Sequence, residues 1–195
     1  MSSTLHSGVL AGLMVLAAGI AGAESLNFKQ ARKVLPKGTS IVAQMPDTPF
    51  LDDKERAIVL SLKDTIPYYG AVALSPDEGL YVEWLNASGQ HHSPQAARVA
   101  ALAHCNANRK AASAKCVVVL EVSPKGAKPE AALSLSADAV DAVKGGYKKL
   151  KGPKAFAISP SLGTFGFADG DGARALKACA DAGAGAQDCV VVIED

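Results

Sequence analysis

This chain of 195 residues carries almost no excess charge of either sign: 20 Lys and Arg face 19 Asp and Glu, for a net charge of +1. A nucleic-acid binder shows a strong basic excess or a basic stripe, and neither is present, so no nucleic-acid partner is expected. The densest basic stretch is YKKLKGPK, with Lys148, Lys149, Lys151 and Lys154, and it reads as a solvated segment leading into a strand. Long apolar runs are equally scarce. Only Val9 to Ile20 qualifies; it is too short to span a bilayer as a helix, and nothing after it is longer. Also missing are the glycine patterns of phosphate and dinucleotide loops, the G-x-S-x-G elbow of serine hydrolases, and the C-x-x-C spacing of zinc sites and redox dithiols. No catalytic residue, metal ligand set or cofactor is implied by what remains.

What is present begins with that apolar run. It ends in Ala21-Gly22-Ala23, a small-x-small pattern that a signal peptidase accepts. No Lys or Arg precedes it, and only His6 and the terminal amine supply positive charge. The expectation is a signal peptide over residues 1–23, cleavage near Ala23, and a mature periplasmic or secreted chain from Glu24. All four cysteines lie in that mature part, which suits an oxidising compartment.

The chain also writes one pattern twice. GAVALSPDEG, from Gly70 to Gly79, and KAFAISPSLG, from Lys154 to Gly163, share A-x-A-[LI]-S-P-x-x-G. Alternating Ala residues leave room for a helix or another strand to approach closely. Ser-Pro with a Gly three residues on makes a tight turn, because Pro fixes φ and Gly accepts a conformation that other residues resist. In the first copy, LYVEWL has the β-branched and aromatic content of a strand. Ser93 and Pro94 open a helix with Ala97, Ala100, Ala101 and His104 at helical spacing, and CVVVLEV is a buried-strand run. The second copy follows with AFAIS, TFGFA, a helix capped by Asp171, and CVVVIED. Each unit reads β-β-α-β.

In both copies one cysteine ends the helix and the next opens the last strand. Four cysteines allow three pairings; the duplication favours Cys105–Cys116 and Cys179–Cys189, the same local bridge twice. Each bridge would contribute about 2–3 kcal/mol. Right-handed crossovers place the strands of a unit in the order second–first–third. The predicted fold is α+β: two tandem units with antiparallel or mixed sheet, a helix on one face, one disulfide per unit and a pseudo-twofold relation. The divisions are a signal peptide (1–23), a helical preface (24–66), the first unit (67–122), a linker with a short helix (123–152) and the second unit (153–195). The preface predicts helices over Phe28 to Leu35 and Asp52 to Leu62, with a strand in TSIVAQM. Ser136 caps the linker helix, which ends or bends at Gly145-Gly146.

The order G-A-x-A-x-S-P-x-x-G, an Ala-rich helix ending in Cys, then C-x-V-V resembles a family of small exported bacterial domains of unknown function (four-one-eight-nine). Gly70 to Val119 carries the full pattern; Ala155 to Val192 carries it with a shorter middle and Lys154 in place of the leading Gly. The resemblance covers about half of the mature chain. It implies an exported α+β module and no particular chemistry. Two-unit chains of this kind are sometimes labelled 5-aminolevulinate synthases. The residues argue against that label: such a synthase is a large pyridoxal-phosphate enzyme, with domains of roughly twice this length and a Schiff-base lysine in a cofactor site.

Differences between the copies show where a function could sit. Gly79 to Cys105 is ten residues longer than Gly163 to Cys179, and the surplus falls in or near WLNASGQHHSP. This insert holds the only Trp, Trp84, the amides Asn86 and Gln90, and the pair His91-His92 ahead of a helix. Imidazoles and amides around an indole at an anion-friendly helix end would make a small binding site; a metal site would also need Asp77, Glu78 or Glu83 brought in by folding. A polar loop anchored by Trp84 is the simpler reading of the same residues. Ser75 and Ser159 sit in turns and not in nucleophile elbows. Asp169-Gly170-Asp171-Gly172 is not a calcium loop, because Ala180 stands where a bidentate Glu is needed. The functional expectation is an exported, disulfide-stabilised module that binds a protein, envelope component or small ligand. The alternative is a small enzyme or metal-binding protein centred on His91 and His92.

Overall fold

The computed structural model describes residues 25–128, 131–183 and 185–195; the proposed signal peptide lies outside them. The preface holds helix α1 (Phe28–Val34), strand β1 (Ile41–Gln44) and helix α2 (Asp53–Ser61). Both helices start with reciprocal caps: Asn27 with Gln30, and Asp52 with Glu55, satisfy backbone donors that a helix leaves open. The first unit comprises β2 (Gly70–Leu74), β3 (Ala87–Ser88), α3 (Pro94–Asn108) and β4 (Val117–Pro124). Helix α4 (Ala137–Ala142), capped by Ser136 and widening into a π turn over Val143–Tyr147, connects to β5 (Lys154–Ile158), β6 (Phe165–Asp169), α5 (Gly172–Ala182) and β7 (Val190–Glu194). No helix among the described residues is long and apolar enough to cross a membrane.

Two sheets form, in the orders β1-β4-β2-β3 and β6-β5-β7. All pairings between named strands are antiparallel. Within each unit the order is second–first–third, as expected, with the first strand central. The copies agree below the level of elements. Each central strand meets the last strand with a register shift at the same place in A-x-A, between Val72 and Ala73 in one unit and between Phe156 and Ala157 in the other. The turn glycines Gly79 and Gly163 have φ of +67° and +73°, the left-handed region that only glycine occupies without strain. Cys105–Cys116 and Cys179–Cys189 are bonded, with Cα atoms 6.1 and 6.2 Å apart.

The alanines do what their size allows. Ala71 and Ala73 share a buried cluster with Ala97, Ala101 and Cys105 of α3, and Ala155 and Ala157 share one with Ala175 and Cys179 of α5. Larger side chains take the opposite faces. Val72 and Leu74 bury against Val59 of α2, while Phe156 and Ile158 join Tyr147, Val143 and Ile193 in the cluster that also holds α3. The two units therefore share one buried cluster, flanked by a second against α2 and a third under α5.

One expectation is corrected. LYVEWL is not a strand. Leu80 turns inward to join Leu51, Val59 and Leu74, and the chain bends through Val82 N–H to Leu80 O and Leu85 N–H to Val82 O. The hairpin partner of β2 is two residues further on, Ala87–Ser88: burial of one leucine outweighs the β propensity of its neighbours. The preface has its two expected helices and the expected strand within TSIVAQM, and it joins both units. β1 adds to the outer edge of β4, and Leu26 forms a bridge to Ile193 on β7, exchanging backbone hydrogen bonds with Val192 and Glu194. One segment thus borders the last strand of both units, where open backbone groups would otherwise template association.

Candidate functional site

The insert is turned inward. His91 and His92 are 7% and 3% exposed, so the pair ahead of α3 presents little imidazole to solvent. The Ser136 backbone N–H, at the start of α4, donates to His92 Nδ1 at 3.1 Å. That nitrogen must carry the lone pair, so the proton sits on Nε2 and is donated to the Thr164 carbonyl at 2.9 Å. One neutral ring joins the first unit, the linker helix and the turn of the second unit. Burial is the largest cause that pushes the His92 pKa below its ordinary value, and His91 adds to it. Burial lowers His91 as well.

Neighbouring residues act in the same joint. Gln90 Oε1 accepts the Asp138 N–H at 3.2 Å, and Gln90 holds a φ of +62°, unusual for a residue with a side chain. His91 exchanges backbone hydrogen bonds with Tyr69 at 3.3 and 3.1 Å, and its Nε2 lies 2.6 Å from the Ser88 hydroxyl. Trp84 is half-buried against the shared core, and its carbonyl lies 3.0 Å from His104 Nε2 on α3. Asn86 is exposed. From the other side, Gly163 is packed so closely that a Cβ would fall 2.4 Å from the Gln90 carbonyl oxygen.

The carboxylates that a metal reading requires are engaged elsewhere. Asp77 Oδ2 accepts the Ala114 N–H and Glu78 Oε1 the Lys110 N–H, each at 2.7 Å, while Glu83 points to solvent. Among the described residues no three His, Cys, Asp or Glu gather in one place. The turn serines are framework. Ser75 Oγ donates to the Ala114 carbonyl at 2.8 Å and Ser159 Oγ to Asp188 Oδ1 at 2.5 Å, so each fully buried hydroxyl ties its turn to the segment entering the last strand.

Sequence reasoning missed a different concavity. A cavity of about 640 Å³ opens between the end of α1 and the turn after β4. Leu35, Tyr69 and Leu133 are buried in its floor, and Lys33, Lys37, Lys125 and Lys128 stand exposed around it. Lys144 Nζ donates to the Pro36 carbonyl at 2.7 Å and holds one wall, and Lys125 N–H to Ser40 O at 2.8 Å holds the other. None of these lysines pairs with a carboxylate among the described residues. Two smaller cavities alongside bring Lys29 and Arg32 to the same surface. No run of basic letters marks it, because the lysines come from segments some ninety residues apart.

The class that fold and site define is thus a small α+β module of two disulfide-stapled units. The chain matches no protein-family model, no curated protein and no solved structure.

Proposed function

We propose that this chain is an exported, disulfide-stapled module that binds a protein, envelope component or small ligand, of the kind its resemblance to the exported bacterial domains of unknown function implies. The observation that carries this reading is the use of the histidines: His91 Nε2 and both His92 nitrogens face protein partners inside the molecule, while the lysine-rimmed cavity is a ligand-sized concavity open to solvent. Its volume falls within the range of small-molecule sites. The two disulfides fit an oxidising compartment.

Elemental analysis and envelope pull-down on protein produced by export test this reading, with a His91→Ala/His92→Ala variant alongside. The expected result is capture of an envelope component or ligand and no metal that depends on the histidines. Stoichiometric metal lost in the variant would favour the histidine-centred alternative.

A further inference from the structure

We propose that the cavity between α1 and the turn after β4 is a binding site for a small amphiphilic anion: a single carboxylate or phosphate head on an apolar body. The inference rests on the binding-module reading and supplies its ligand class. Four ammonium groups, on Lys33, Lys37, Lys125 and Lys128, surround one concavity in a chain whose net charge is only +1. They are not the local sample of a generally basic surface. Among the described residues the lining contains no carboxylate, and ammonium groups brought together in this way favour an incoming anion.

The floor sets the other half of the ligand. Leu35, Tyr69 and Leu133 are 4%, 3% and 6% exposed, and Val34 and Pro36 continue the apolar lining. Lysine stems can lie along such a surface while their heads stay in water. An anionic head would sit among the ammonium groups at the rim, and an apolar body would displace water from the floor. A compact inorganic anion would use only the rim. The volume of about 640 Å³ accommodates one small molecule, which commits the proposal to a free amphiphile and not to a membrane surface.

The test uses exported, oxidised protein and four probes: decyl phosphate below its micellar concentration, inorganic phosphate, decyltrimethylammonium, and vesicles of anionic phospholipid. Calorimetry and amide chemical shifts should report one saturable decyl phosphate site, with shifts centred on the described lining residues, near 33–40, 69, 125–128 and 131–133. Inorganic phosphate and decyltrimethylammonium should bind far more weakly. Lys33→Gln/Lys37→Gln/Lys125→Gln should weaken decyl phosphate by about tenfold or more, because near-surface charge pairs are individually modest, with no change in melting temperature. Lys148→Gln/Lys149→Gln, which removes charge from the densest basic run, should bind as the parent. Equal binding of the cationic amphiphile, unchanged affinity in the triple variant, or binding to vesicles without binding of decyl phosphate would each overturn the inference. Envelope capture separates the two levels. If the triple variant still captures its component, the cavity assignment fails while the binding-module reading stands; if the parent captures nothing and binds no probe, both fail.

Discussion

His92 does its work as a neutral ring with both nitrogens occupied, and this makes the fold sensitive to acid. Its folded pKa lies below the unfolded value because burial disfavours the imidazolium. The unfolded state therefore binds the proton more readily. Stability should be full above a pH of about 6.5, the unperturbed value, and be lost as pH falls from there towards the folded pKa. Urea unfolding between pH 8 and pH 5 checks this; the slope should shrink in His92→Gln, which cannot titrate. The buried turn serines give a second expectation. Ser159→Ala removes a bond to a carboxylate and should cost about 2 kcal/mol, whereas Ser75→Ala removes a bond to a carbonyl and should cost about 1 kcal/mol. Denaturant midpoints of the two variants decide it. The chemistry of these residues was only half legible in the sequence. The duplication correctly demotes Ser75 and Ser159 to framework, but it cannot say that the hydroxyls reach the loop before the last strand, since that partner is a backbone carbonyl in one copy and Asp188 in the other.

At the scale of elements, the two turns separate what is shared from what is particular to the joint. Gly79 and Gly163 both need a left-handed backbone. A Cβ at Gly79 would meet nothing closer than 4.0 Å, while one at Gly163 would fall 2.4 Å from the Gln90 carbonyl oxygen. Gly79→Ala should therefore cost about 1 kcal/mol, the conformational term alone, and Gly163→Ala distinctly more. Equal losses in thermal unfolding would mean that the insert does not press on the second turn. A similar contrast explains why the second copy lacks the leading glycine. At Gly70 a Cβ would lie 2.1 Å from the Ile66 side chain. Lys154 at the matching position instead lies over the rings of Phe28 and Tyr147, at 5.2 and 4.8 Å, and 3.8 Å from Asp195. Strand order, helices, caps and disulfides were readable from the repeat because they depend on local spacing and small residues. LYVEWL was misread for a reason outside its own letters: α2 and β2 offered Leu80 a buried place that a strand would have denied it.

At the scale of the whole molecule, the insert that the duplication left unmatched adds polar links between the units to the buried cluster they share. Comparison of the copies singles out Trp84 to His92 as a candidate binding loop, and the structure gives His91, His92 and Gln90 of that loop contacts inside the molecule. The comparison could not reveal the contacts to Thr164, Ser136 and Asp138, since these lie 44 to 72 residues away. The lysine-rimmed cavity was hidden for the same reason, its parts being supplied by the preface and by the linker. His92 is a structural joint, with both ring nitrogens bonded inside the molecule, and the most direct test of that role is His92→Phe. Filling the ring's space without its nitrogens leaves the Ser136 N–H and the Thr164 carbonyl unpaired, so urea unfolding at pH 7.5 should show a loss of about 2–3 kcal/mol, while decyl phosphate binding stays as in the parent. Unchanged stability together with lost binding would contradict the account.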